Sequence, residues 1–343
     1  MTRLNYKPVI LIIDGAHCLR RSMYQPNLRE LATSTGVPTG GIYGFMSSIK
    51  SAVSLMSASS LIVCWEGGHS ARRKSLYEDY KHRESTEEET RDALGYTDYE
   101  YYVHQISWIK QILPCLGVKQ LRVDGKEGDD ILFQATRLID GQKVIISEDS
   151  DFQCIISDDI HMYRPIKKQY ISLANFSEVN GYKSPKHFLY SKVLLGDGSD
   201  NIPAVAKGVG ATTVMNILNK IENEEEITPN KILSIANELG GSRNMKLVEA
   251  GSGPIIRNLN LIDISKEVFD FYEIKGLIDD IKSITTINVD KANKIFRALE
   301  FQPTTIDVIM NGLLRMANYP LDKLINVDYV RRYLAGETSV LQG

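Results

Sequence analysis

Cysteine is scarce and scattered. Cys18, Cys64, Cys115 and Cys154 form no C-x-x-C pair, which argues against a structural zinc site and against a disulfide framework. In their apolar surroundings they read as buried free thiols. Long apolar runs are missing as well. The N-terminal stretch MTRLNYKPVILIID carries too short an apolar segment for a signal peptide or a membrane-spanning helix, so a cytoplasmic setting is expected. The net charge is only −3 and gives no global pull toward nucleic acid, so any such contact must come from local patches. No internal repeat and no low-complexity tract interrupts the chain. What remains is an ordinary globular composition, 43% hydrophobic and 24% charged over 343 residues. That length suits two domains, or one domain with an appendage.

PVILIIDG, residues 8–15, is a short apolar run without period-2 alternation, the pattern of a strand buried on both faces. SLIVCW (60–65), residues 120–123 and KVIIS (143–147) read as further strands. Apolar residues at helical spacing predict helices over 41–56, 99–116 and 130–139, and 161–171 reads as a hairpin or edge pair. Strands alternating with helices predict an α/β fold with a parallel sheet. After residue 184 only helices and loops are expected, so a boundary is placed near 185. IENEEEITPN reads as a solvated helix end or loop, and GETSVLQG as a flexible tail.

The acids fall where strands and helices end. Asp14 closes the first strand, Glu66 follows the second, and Asp149 and Asp151 follow KVIIS. Glu127, Asp129 and Asp130 stand at a predicted helix start, and GDGSDNIPAVAKGVGATT contributes Asp197 and Asp200. Each has a local alternative, since acids also serve turns, N-caps and the helix dipole. Collectively they pose a problem. In an open parallel sheet the carboxyl ends of the strands share one edge, and two carboxylates ~4 Å apart repel by about 4 kcal/mol at an effective dielectric near 20. Cations among them would relieve this. The donors are all oxygen, with no histidine pair at ligand spacing, which favours Mg²⁺ or Mn²⁺ over zinc. Carboxylates around two such ions are the apparatus of in-line displacement at phosphorus.

Positive charge concentrates in HSARRKSLYEDYKHR, where Arg72, Arg73, Lys74, Lys81 and Arg83 interleave with Tyr77 and Tyr80. Basic side chains contact phosphates and aromatic faces stack on unpaired bases. The alternative is a solvated surface helix, which the following ESTEEE partly supports. Arg164, Lys167 and Lys168 read as a solvated hairpin.

The succession LIIDG, WEGG, YKHR, EGDD, SEDSDF and GDGSDNIPAVAKGVGATT resembles the 5′-nuclease, or flap endonuclease, family, especially its compact phage and bacterial members. The likeness covers roughly residues 9–220, with a looser echo in RNLNLIDIS. It implies a PIN-like nuclease core over residues 1–185 with a helical arch at about 69–100. It also implies a helical region over 186–343 containing a helix–three-turn–helix at about 190–220 that grips duplex DNA. By the same resemblance Asp14, Glu127, Asp129, Asp130, Asp149, Asp151, Asp197 and Asp200 hold two divalent ions. Lys81 matches the arch lysine that approaches the scissile phosphate, and Tyr80 its aromatic neighbour. Gly208, Gly210, Thr212 and Thr213 are expected at the DNA backbone, where a K⁺ ion commonly bridges the hairpin in this family. Four positions depart from the pattern. Glu66 replaces the usual aspartate, YKHR is one residue shorter than Y-K-x-x-R, Gly128 replaces alanine, and GVGATT lacks the lysine before its threonine.

The expected reaction is hydrolysis of DNA phosphodiesters near 5′ ends and branch junctions, in replication, primer removal or repair. Two ions would activate water and stabilise the leaving oxygen, and Lys81, with Arg72 or Arg83, would neutralise charge on the phosphate. The expected partners are flapped, branched or 5′-ended DNA, an RNA–DNA hybrid, and a polymerase or single-strand-binding protein. A monomer in a bacterial or phage-infected cell is expected, with no membrane contact. Two competing readings remain. One is a DNA-structure-binding protein with a decayed nuclease centre. The other is a small-molecule phosphatase, which leaves the glycine-rich hairpin and the basic segment without a role.

Overall fold

The six strands of the structure, a computed structural model, form one sheet in the order β3-β2-β1-β4-β5-β6. Residues 8–82, 91, 92, 94–316 and 320–337 are described. The four expected strands are β1 (Val9–Asp14), β2 (Ser60–Cys64), β3 (Lys119–Leu121) and β4 (Gln142–Ile146). The stretch around 161–171 supplies β5 (Ile160–Arg164) and β6 (Gln169–Ile171). β5 joins β4 in parallel, and only β6 runs antiparallel, at the edge.

Both faces of the sheet are covered, which is why its strands lack hydrophobic alternation. In β1, Leu11 and Ile13 point into one core cluster, and Ile10 and Ile12 into the other. The first cluster is closed by the helices Gly15–Met23, Gly40–Met56 and Asp98–Cys115, the second by Gly128–Leu138. Thr97 and Glu100 form a capping box that starts the Asp98–Cys115 helix, which ties two otherwise unpaired backbone N–H groups. From β1 the order runs through β2 to β3 on one side and through β4 to β6 on the other. The crevice beyond the carboxyl ends of β1 and β4 is therefore the topological switch point, where open parallel sheets bind ligands.

Residues 185–262 are helices and loops, as expected, and Val193, Leu194, Val214, Ile217, Ile232 and Leu247 belong to a third core cluster. A single boundary near 185 does not separate the whole C-terminal part from the sheet, because after residue 262 the chain returns to it. Phe269, Ile274, Leu277 and Ile281, with Leu321, Tyr329 and Tyr333, complete the core on one face. Phe296, Ile306, Ile309 and Leu313 complete it on the other. The apolar stripe of a helix shows that it buries a face, but not which surface receives it. The acidic run holds an exposed turn at Glu224–Glu226. The cysteines are free, with Cys154 half-buried and the other three buried. Among the described residues no helix is long and apolar enough to cross a membrane.

Phe296 tests whether the last helices belong to the sheet core. It is fully buried, so Phe296→Ala is expected to cost about 3–5 kcal/mol. Urea unfolding should show that loss in one cooperative transition. A separate early transition would mean that residues 289–316 fold apart from the sheet.

Candidate active site

Asp14 is the last residue of β1 and caps the helix after it, accepting from the His17 N–H at 3.0 Å. Across the switch point, Asp149 caps the short turn after β4 and accepts from the Asp151 N–H at 2.9 Å. Ser147 links the two, donating its hydroxyl to Asp14 at 3.4 Å and accepting the Asp149 N–H at 3.1 Å. A cleft of about 420 Å³ opens here, with Asp14, Glu66, Glu127, Asp129, Asp149 and Lys81 on its walls. Asp14, Asp129 and Asp149 make no ion pair among the described residues. Burial pushes the Asp14 carboxyl above its usual range, and the charges of Asp149 and Glu66 add to that. Burial likewise holds Asp129 well above its usual range, reinforced by Asp14 and Asp149. Glu66, one carbon longer than aspartate, turns toward Arg20 at 3.6 Å.

The remaining acids already have cations. Lys192 bonds to Asp151 and lies 3.1 Å from Asp197. Burial still pushes Asp151 up to about 6, with the Asp149 charge helping, against the pull of Lys192. Asp200 lies 3.8 Å from the Lys81 ammonium, which donates to Glu127 at 2.8 Å. Lys81 is held in left-handed backbone, φ 48°, a strained geometry for a non-glycine residue. Its N–H donates to the Asp200 carbonyl at 3.0 Å. Asn201, also left-handed at φ 59°, donates to the carbonyls of Asp79 and His82 at 3.1 and 2.5 Å.

Four expectations need correction. Asp130 is fully buried and takes a two-point fork from Arg73, 2.7 Å on each oxygen, so it does not face the cleft. Adjacent helix residues lie ~100° apart, and Asp129 takes the cleft side. Arg73 itself is buried and also donates to the Leu261 carbonyl at 2.9 Å, which removes it from any DNA surface. Tyr80 is 2% exposed and donates its hydroxyl to Glu127 at 2.9 Å, so it offers no face to a base. Arg72 is tied to Glu267 at 3.0 Å and to the Asn260 carbonyl at 2.9 Å. Lys74 reaches the Glu78 carbonyl at 3.2 Å, and Arg83 lies outside the described residues. Gly208, Gly210 and Thr212 are exposed and Thr213 half-exposed, where the helix Ala211–Leu218 begins.

One wall of the cleft goes unmarked in the sequence reading. His17, Arg20, Arg21 and Tyr24 line it, and Tyr24 is 59% exposed. Their spacing from Asp14, three, six, seven and ten residues, is the helical signal that marks them. His17 Nε2 and Arg21 Nε are buried with no hydrogen-bond partner among the described residues.

The donor set fits a hard divalent cation at Asp14, Asp129 and Asp149: carboxylate oxygens facing one cleft, with no ion pair of their own among the described residues. Their side chains do not yet converge on one point, since no group of three among the described residues is close enough to enclose an ion. The Asp151–Asp197–Asp200 group fits an ion only with Lys192 withdrawn, because that ammonium already occupies it.

Arg73→Ala would leave the Asp130 charge buried and unpaired, at an expected cost of about 3–5 kcal/mol. Arg73→Lys would restore little of it, because an ammonium cannot make the two-point fork. Urea midpoints of both variants check this, and a wild-type midpoint in either would refute it.

Comparison with known proteins bears on this site. The model of the 5′-3′ exonuclease N-terminal resolvase-like domain matches residues 9–181. The 5′-3′ exonuclease of Buchnera aphidicola (Acyrthosiphon pisum) is 30% identical over 234 residues, 67% of this chain and 76% of that protein. The Bacillus subtilis 5′-3′ exonuclease is 22% identical over 302 residues, 84% of this chain and 92% of that protein. Among solved structures, the bacteriophage T5 flap endonuclease in a complex with DNA and metal ions aligns with a TM-score of 0.58 at 22% identity, covering 91% of this chain and 100% of that one. Human GEN1 bound to Holliday junction DNA aligns with a TM-score of 0.56 at 11% identity, covering 90% of this chain and 71% of that one. These two alignments show the fold, a PIN-like nuclease core, and the sequence matches show more: the chain is a nuclease that belongs to the 5′-3′ exonuclease family.

Proposed function

We propose that this nuclease uses divalent ions to hydrolyse DNA phosphodiesters at flaps, branch junctions and 5′ ends, with the cleft at the ends of β1 and β4 as its cutting centre. The observation that carries the reading is the trio Asp14, Asp129 and Asp149, which line one cleft at the switch point, Asp14 buried and the other two half-buried, with no ion pair among the described residues. Mg²⁺ or Mn²⁺ held there, and a second ion at Asp151, Asp197 and Asp200, would supply an acidified water and charge neutralisation at the phosphate.

The chain's own residues do the rest. Lys81 stands on the cleft wall and stabilises charge developing on the phosphate. Arg20 and Arg21, on the same wall, take the charge-neutralising role expected of Arg72. Ser147 keeps Asp14 and Asp149 in a fixed relation. Away from the cleft, Gly208 (φ 86°) and Gly210 allow close approach of a backbone phosphate. The helix Ala211–Leu218 presents its N-terminal N–H groups there, as one half of a helix–three-turn–helix, and K⁺ suits that junction. DNA polymerase I of Thermus aquaticus is 30% identical over 224 residues, though this chain spans only 25% of it. That likeness supports a place beside a polymerase in replication or primer removal.

A second reading has its own observation. Lys192 neutralises the Asp151–Asp197 pair and Arg20 engages Glu66, as a binding protein with a decayed centre would have it. Tight flap binding with no cleavage in either Mg²⁺ or Mn²⁺ is its signature.

Two variants test the nuclease reading on an end-labelled 5′-flap duplex. Asp149→Asn should lower Mg²⁺-dependent cleavage by well over about tenfold, and a smaller loss would sink the carboxylate assignment. Lys81→Met should lower the single-turnover rate by roughly 10²–10³-fold with flap affinity nearly unchanged. Equal losses in rate and affinity would make Lys81 a binding residue instead.

A further inference from the structure

We propose that Glu267 is a positioning residue of the nuclease: it fixes the foot of the basic segment and, through it, sets Lys81 at the cleft. This rests on the role of Lys81 at the phosphate. Glu267 lies well beyond the matched exonuclease domain, which ends at residue 181. It is 6% exposed, so it cannot touch DNA in this fold.

A buried carboxylate is costly unless it is paired and hydrogen-bonded, and Glu267 is bound on both oxygens. Oε2 accepts from the Ser70 hydroxyl at 2.7 Å and from Arg72 Nε at 3.0 Å. Oε1 accepts from Lys126 Nζ at 3.0 Å. The Arg73 guanidinium is 4.0 Å away. These donors outweigh burial and hold Glu267 below the usual carboxylate range.

The partners lead to the cleft in two directions. Ser70 is the N-cap of the helix Ala71–Leu76, accepting the Arg73 N–H at 3.2 Å, and its own N–H donates to Glu127 at 3.3 Å. Lys126 immediately precedes Glu127 in the chain. Glu127 in turn accepts from Tyr80 at 2.9 Å and Lys81 at 2.8 Å. Nearby carbonyls extend the same dock, since Asn260 and Leu261 accept from Arg72 and Arg73 at 2.9 Å each. The segment 258–267 is thus a receptor for the start of the basic segment, and Glu267 is its only carboxylate bound to Ser70 and Arg72 among the described residues. Losing it would free Ser70 and Arg72 to move and loosen the register with which Lys81 meets Glu127.

The test is single-turnover cleavage of a 5′-flap DNA in Mg²⁺, with flap affinity measured separately in Ca²⁺ and melting followed for each variant. Glu267→Ala should slow cleavage about 10- to 100-fold while affinity changes less than about threefold. Glu267→Gln keeps one oxygen for Ser70 and Arg72 and should recover most of the rate. In a Lys81→Met background, Glu267→Ala should add little further loss, the non-additivity of residues that act through one another. Should Glu267→Ala fail to fold, Glu267→Gln/Arg72→Gln replaces it, with the same expected loss. A loss of equal factor in both Lys81 backgrounds overturns the proposal, as does a loss of affinity in step with rate, or no loss. Failure of the Lys81 role appears separately, as wild-type cleavage by Lys81→Met alone.

Discussion

Carboxylates that share one sheet edge repel, by about 4 kcal/mol for a pair ~4 Å apart at an effective dielectric near 20. This chain places nine acids at or near the ends of its central strands and the helices beside them. Much of the surrounding structure is the arrangement of cations that makes such a cluster tolerable. Arg73 forks onto Asp130, Lys81 joins Glu127 to Asp200, and Lys192 joins Asp151 to Asp197. Arg73 and Lys81 come from a different part of the chain than their acids, and Lys192 bridges its near neighbour Asp197 to the distant Asp151, so satisfying the charges also ties the fold together. The buried ones are decisive, because a charge removed from water and left unpaired costs several kcal/mol.

The acids consequently divide into two classes. Those with built-in partners are structural in this state, and they hold the basic segment and the helix Gly128–Leu138 against the core. Asp14, Asp129 and Asp149 make no ion pair among the described residues, and burial raises Asp14 and Asp129 above the usual carboxylate range. An arrangement of this kind is stabilised by whatever cation enters the cleft. Asp129 and Asp130 show how local the division is. They are neighbours on one helix, and its turn sends one into the cleft and the other onto Arg73.

The strands and the strand-end acids were legible in the sequence because both are local patterns. A run such as VILIID marks a buried strand wherever it packs, and the acid that ends it marks the sheet edge. The pairing of the basic segment was not legible. Arg72 and Arg73 read as phosphate contacts because the sequence shows their charge, while their partners Asn260, Leu261 and Glu267 lie almost two hundred residues away. Tyr80 failed for the same reason. A tyrosine among lysines and arginines looks exposed until Glu127 is seen to accept its hydroxyl. Conversely, only a helical spacing from Asp14 marks Tyr24 and Arg21 as cleft residues, and a spacing is a weaker signal than a run of acids or bases. The return of residues 264–337 to the sheet was hidden in amphipathic helices that can pack on any apolar surface.

The loop GDGSDNIP joins the cleft to the start of the helix Ala211–Leu218 through a few contacts. Its Asp197 N–H and carboxylate close the turn on Ile202 and Ser199, and Gly196 permits this because a side chain there would meet the Ile202 carbonyl at 2.4 Å. Asn258 fastens the exit of the loop, donating to the carbonyls of Val193 and Pro203 at 2.9 and 2.8 Å. The other side of the loop holds the basic segment: the Asp200 carbonyl accepts the Lys81 N–H, and Asn201 donates to the carbonyls of Asp79 and His82, which flank Tyr80 and Lys81. The ammonium at the cleft and the glycines ahead of the helix Ala211–Leu218 are therefore attached to one short stretch of backbone. On the proposed role of Gly208 and Gly210, a phosphate held there would act on the same loop that fixes Lys81 in its left-handed geometry. Strain of that kind persists only where surrounding contacts over-determine it, and here they are the Asp200 carbonyl on the Lys81 N–H, Asn201 on the flanking carbonyls, and Glu127 on the ammonium.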